Sequence, residues 1–215
     1  MPSVIAPALI ATFRMLFISF GLGLALGTAT AVVLVVTAPG GLSPVRSVYK
    51  TLNFLIGAVR SFPVIILIVA ITPLTRLMVG TSIGERAAVV PLTLAIFPII
   101  ARTIEVGLND VSPAVVTAAR SFGATNRQIV FKVMFVEALP GIVSGLTSTL
   151  IILLGYTTVA GSVGAGGLGA VALTYGYQRF DEAIMYAIVL ILFIVVVSIQ
   201  AAGGALYKKT KLEQS

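Results

Sequence analysis

Residues 112–145 read SPAVVTAARSFGATNRQIVFKVMFVEALPGIVSG, the longest polar-bearing break in a chain that is otherwise close to continuous hydrocarbon. Ser112 can accept from the exposed amides of a first helical turn, and Pro113 suits the first helical position, where no amide donor is needed. Gly123 supplies the left-handed residue that ends such a helix. Thr125 and Gln128 have capping-box spacing, each side chain able to satisfy a backbone donor of the other, so a second helix starts near Asn126. The stretch therefore reads as two short helices with a turn between them. Placed between membrane spans, it is a docking element that needs a partner.

Working outward, the 215 residues are 58% hydrophobic and 10% charged, with a mean hydropathy of +1.12. A soluble domain could not keep that much apolar surface from water, so the chain reads as an all-α integral membrane protein. It has no Cys and no His, which removes disulfides, thiol nucleophiles, histidine bases and the usual Cys/His zinc sites. A membrane-embedded enzyme would have to rest on Arg102 and Glu105, the ionisable pair nearest to burial. No metal or catalytic residue is expected. The net charge of +7 does not form a nucleic-acid stripe, because the cations stand at the ends of apolar runs.

A spanning helix needs roughly 20 apolar residues. Five stretches qualify, at about 15–38, 53–74, 87–108, 138–160 and 183–207, with a loop at about 109–137; residues 1–215 read as a single transmembrane domain. Lys208, Lys209 and Lys211 place the tail in the cytoplasm by the positive-inside rule, which puts the N-terminus outside. Ten of the fourteen cations then fall inside, and Arg14 is the exception that argues against the assignment. Ala29-Thr30-Ala31 resembles a signal-peptidase site, but the apolar run continues to Val36 and no cleavage is expected. Gly23 and Gly27 have the spacing that lets helices pack closely. Pro63 should kink or start the second span, with Arg60 as an interfacial anchor or else part of a gate or a dimer contact. Pro91 and Pro98 should bend the third. Arg102 and Glu105, three apart on one face, can pair.

The fourth span ends in Tyr156-Thr157-Thr158-Val159 and Gly161, followed by a glycine-rich run. Gly164, Gly166 and Gly169 match the dinucleotide fingerprint, but that motif needs a preceding strand in a soluble unit. The glycines instead allow backbones to approach and a loop to move. Thr157 and Thr158 can bond their own helix backbone or, with Tyr156, Val159 and Gly161, line a pore or gate. Asp181 and Glu182 suit the start of the fifth span, and the aromatics beside them suit either the membrane interface or a docking surface.

Thr117-Ala118-Ala119, three residues, then Gly123 and a run ending in Leu139-Pro140-Gly141 resembles the EAA loop of bacterial ABC importer permeases. Ser61 to Leu67, Val79 to Gly84, Glu137 to Gly141 and Val163 to Gly169 with Tyr175-Gly176-Tyr177 resemble, in order, permease subunits of the methionine-uptake importers. The resemblance covers about residues 15–207. It implies the type I importer permease fold with five transmembrane helices, and a cytoplasmic coupling helix carried by Thr117, Ala118, Ala119, Arg120, Gly123 and Arg127. It also implies a homodimeric pore in the bacterial cytoplasmic membrane, working by alternating access. Two cytoplasmic ATPases would hold the ATP and magnesium, since no cofactor is expected in this chain, and an extracytoplasmic binding protein or lipoprotein would deliver D- or L-methionine. Membrane lipid surrounds such a chain; nucleic acid is not a partner. A permease for another small amino acid, or a non-transport scaffold, are the alternatives. Two positions depart from the pattern: Thr117 stands where the family usually has Glu, and Phe135-Val136 where it often has Leu-Pro.

Overall fold

A computed structural model describes residues 2–212, and every regular element among them is helical. In chain order these are α1 (Pro2–Thr37), α2 (Arg46–Ser61), α3 (Val64–Ala70), α4 (Thr72–Val79), α5 (Glu85–Asn109), α6 (Pro113–Ser121), α7 (Asn126–Gln128), α8 (Phe135–Ala160), α9 (Gly167–Val171) and α10 (Glu182–Leu212). Turns of π-helix follow α7, α8 and α9. The segments Ser3–Thr37, Glu85–Asn109, Asn126–Ala165 and Glu182–Leu212 are each long and apolar enough to cross a membrane. A fifth crossing is broken, because α2 and α3 meet at 102°.

That break corrects the expected span at 53–74. Phe62 is held extended at φ −85°, ψ 131° by the proline that follows it, the conformation that a pre-proline residue is pushed into. The kink or start expected at Pro63 is thus a sharp turn with Pro63 at the head of α3, and α4 restarts with Pro73 in its first turn. The first span also differs. Its helix begins at Pro2 instead of residue 15, because Val4, Ile5, Ala8 and Leu9 find apolar partners in Leu168, Val171, Ile184 and Ile188. The fourth span starts at Asn126 instead of 138. Its capping box forms as expected, but no stop signal follows, so the second helix of the opening stretch runs on into the span.

α5 forms the centre of the bundle. Leu92, Ile96, Ile100, Ile104 and Leu108 recur at helical spacing and are all buried, packed with Met15, Leu16 and Val35 of α1 and Ile142 and Leu153 of α8. α1 and α5 run parallel: Arg14 meets Glu85, and further along Gly23 faces Ile96 and Gly27 faces Ile100. A Cβ at Gly23 would stand 2.6 Å from Ile96 Cγ2, and one at Gly27 2.7 Å from Ile100 Cγ2. The spacing read from sequence thus corresponds to real backbone approach. Near the α6 end of the bundle, Arg102 pairs with Glu105 at 2.7 Å and donates to Asn53 Oδ1 at 2.5 Å, tying α2 to α5.

Candidate functional site

The candidate functional residues read from the sequence lie at the two ends of α8. At one end, α6 stands proud of the bundle. Ser112 Oγ accepts from Ala114 N–H, Pro113 occupies the first turn, and Gly123 takes φ +79°, so the expected start and stop signals both operate. Not one residue of α6 is buried. Thr117, Ala118, Arg120, Gly123 and Arg127 are exposed, and Ala119 is half-buried against the core. A nine-residue helix that buries so little is stable only through its caps and neighbours.

Two donors hold it. Arg120 Nη2 and Asn126 Nδ2 each donate to the carbonyl of Leu42, both at 3.3 Å, so the loop after α1 braces the turn of the opening stretch. Thr117 spends its hydroxyl on Pro113 O at 2.8 Å, within its own helix. Thr117 and Arg120 also line a cavity of about 320 Å³ under α6, shared with residues 38–42 and Met134. Phe122, which the reading of the sequence did not single out, is 92% exposed. A phenylalanine beside a turn glycine in a polar stretch was the available signal.

At the other end of α8 the glycine-rich run folds back on the helix. A Cβ at Gly161 would stand 2.6 Å from Ala170 N, and one at Gly169 would overlap the carbonyl of Thr158. Gly164 (φ +94°), Gly166 (+82°) and Gly167 (+76°) all lie in the left-handed region that favours glycine. Two ties pin the run, one of them backed by a further bond within α1. Leu168 N–H donates to Thr12 Oγ1 at 2.9 Å, Thr12 donates in turn to Ala8 O, and Gly84 N–H donates to Gly164 O at 2.9 Å. Thr12, buried on α1, lacks any sequence signal for this role, because its partner is 156 residues away.

The five residues read as pore lining are not on one surface. Thr157 is buried with its hydroxyl donating to Leu154 O at 2.7 Å, and Thr158 donates to the same carbonyl at 3.3 Å. Gly161 is interior, and Val159 and Thr158 are half-buried. Tyr156 opens onto a cavity of about 180 Å³ that it shares with Arg60, Phe62, Leu67 and Ile99. Arg60 and Tyr156, read separately from the sequence, are thereby brought together at the bend between α2 and α3. Among the described residues no cluster of His, Cys, Asp and Glu could hold a metal.

A helical membrane bundle with a braced helix projecting between two of its spans is the arrangement expected of an importer permease. The chain belongs to the binding-protein-dependent transport system inner membrane components, whose family model matches residues 23–211. It is 43% identical over 198 residues to a probable D-methionine transport system permease protein MetI of Vibrio cholerae, covering 92% of this chain and 88% of that one. It is 44% identical over 150 residues to the D-methionine transport system permease protein MetI of Escherichia coli, covering 70% and 69%. Its structure superposes on a chain of the inward-facing MetNI methionine ABC transporter with a TM-score of 0.95 and 40% identity, covering 98% and 97%. A chain from the crystal structure of an amino acid ABC transporter with histidines shares the fold at 20% identity, with a TM-score of 0.78.

Proposed function

We propose that this chain is the pore-forming permease subunit of an ATP-driven importer for D- or L-methionine, working as a homodimer by alternating access. Two ATPase subunits dock on α6 from the cytoplasm, bind ATP and magnesium, and hydrolyse the nucleotide. An extracytoplasmic binding protein delivers the amino acid to the opposite face. The observation that carries this reading is α6 itself, a short helix with no buried residue, braced to Leu42 and presenting Ala118 and the exposed Phe122 outward. Small residues let a partner surface approach the backbone, and an exposed aromatic is the usual anchor of an interface.

The sidedness follows from charge. Lys208, Lys209 and Lys211 end α10 at the end of the bundle where α5 gives way to α6, so that end is cytoplasmic and the N-terminus is external. Arg14, the cation that opposed this assignment, is offset by Glu85 at 3.2 Å. Substrate passes between the paired subunits, with Tyr156 and Arg60 at the cavity beside the α2–α3 bend as gate residues. Selectivity among small amino acids rests mainly with the binding protein, since the polar side chains at this cavity, Arg60 and Tyr156, suit the carboxylate and amine that all amino acids share.

The test is uptake of labelled methionine, with other amino acids as competitors, into vesicles holding the permease, its ATPase and binding protein. Methionine-stimulated ATP hydrolysis and uptake are expected. Ala118→Arg should abolish both and release the ATPase during purification, while melting with the wild-type protein. Wild-type uptake by that variant would remove α6 as the docking site, and absence of methionine uptake by the intact assembly would remove the substrate assignment.

A further inference from the structure

Away from both ends of α8, α1, α8 and α10 enclose an open groove of about 620 Å³. Its walls are hydrocarbon: Phe13 and Phe17, stacked at 5.9 Å, with Phe20 on one side, Leu150 on the floor, and Ile199 and Leu206 on the other. Two hydroxyls line it, and each is spent on its own helix, Thr147 on Val143 O at 2.8 Å and Ser198 on Ile194 O at 2.8 Å. The groove therefore offers nothing for a polar ligand to satisfy. Gly203 seats directly on Thr147, with no room for a Cβ, so the floor is closed and the groove opens sideways, in the plane of the membrane.

Its length and its charged end identify the occupant. From Ile194 to Leu206 the groove follows α10 for about 18 Å, against about 15 Å for one leaflet of the hydrocarbon core. Lys209 lies one turn beyond Leu206 on the same face, flanked by Lys208 and by Lys211, whose ammonium stands 6.0 Å from the Tyr207 ring. Gly203 seats on Thr147, and just over one turn along α8 Ile142 meets Gly107, two residues before α5 ends at Asn109, so the lysines that follow Gly203 reach the end of the bundle, at headgroup level. We infer that this groove holds an acyl chain of an anionic phospholipid, whose phosphate is met by Lys209 and Lys208.

A second copy of the chain is the competing occupant. A two-fold axis along the membrane normal would bring the same lysines of both copies to the same level on the same side, where they repel. Lipid supplies the opposite charge at that point. The inference uses only membrane residence, so it stands or falls independently of the substrate.

The experiment places the assembled permease–ATPase complex in vesicles containing phosphatidylglycerol or phosphatidylethanolamine with a photoreactive group on the acyl chain, and maps the labelled residues by mass spectrometry. Labelling is expected to concentrate on residues 195–206 and 146–150, and phosphatidylglycerol is expected to label them more than phosphatidylethanolamine. Lys209→Gln should lower that preference about fivefold while leaving the groove intact. Ala202→Phe, which fills the groove, should abolish the labelling there while sparing exposed α10 residues such as Tyr186 and Phe193. Equal labelling by both lipids, labelling spread evenly along α10, or cross-links between two copies through Ile199 and Leu206 would each overturn the inference.

Discussion

Both ends of α8 are punctuated by glycine, and they are put to opposite uses. At the α6 end Gly123 turns the chain in open space, with nothing near enough to meet a Cβ, and leaves a helix without a buried residue. At the far end Gly161 and Gly169 remove the space between two stretches of backbone, and Thr12 and Gly84 tie the run down. The first arrangement spends little stability and exposes surface to a partner. The second buries everything it can, so that substitutions there act on the fold before they act on transport.

The largest effect is expected at Gly169. Gly169→Val drives a side chain into the Thr158 carbonyl and should destabilise the protein by about 3 kcal/mol, read as loss of folded protein in detergent. At the opposite end, Phe122→Ala should weaken ATPase association by about 2 kcal/mol, roughly 30-fold, measured by co-purification or titration. Its melting temperature should not move, since nothing in the subunit packs on that ring. A stability change as large as the binding change would erase the contrast between the ends.

Thr12→Val leaves the buried Leu168 N–H without its acceptor and should cost about 1–3 kcal/mol, while Thr12→Ser restores the bond. If Val and Ser melt alike, the pin is not formed by the hydroxyl. Smallest is Gly123→Ala, which forces a left-handed conformation on a residue with a Cβ and costs about 1 kcal/mol of local strain. Hydrogen exchange should detect it in residues 113–128 and nowhere else.

What could be read in advance follows the same division. The α6 end is governed by local rules: the Ser112 cap, Pro113, Gly123 and the Thr125–Gln128 box each act within four residues, and each operates as the sequence implies. The pairing of Arg102 with Glu105 was legible for the same reason. The far end depends on contacts distant in sequence. Neither Thr12 with Leu168 nor the seating of Gly169 on Thr158 has a periodic signature, and burial of Thr157 removes from any lining a hydroxyl that composition alone would have placed there. The turn at Phe62-Pro63 was visible as a break, but its 102° angle has no local signature, since α2 and α3 each pack on α5. Arg60 and Tyr156 come to line one cavity beside that bend.

The helix begun by the Thr125 cap does not stop before the membrane; it runs through a π-helical turn into α8 and ends at Ala160. At 1.5 Å per residue that is a rod about 50 Å long, with the turn proposed to meet the ATPase at one tip and the pinned glycine run at the other. A tilt of about 5° about the pinned tip would sweep the free tip through about 4 Å, most of the 5.4 Å rise of a helical turn. Small rotations could thus be exchanged between the two sides of the membrane as mechanical leverage along one continuous piece of backbone, without relaying through loose loops.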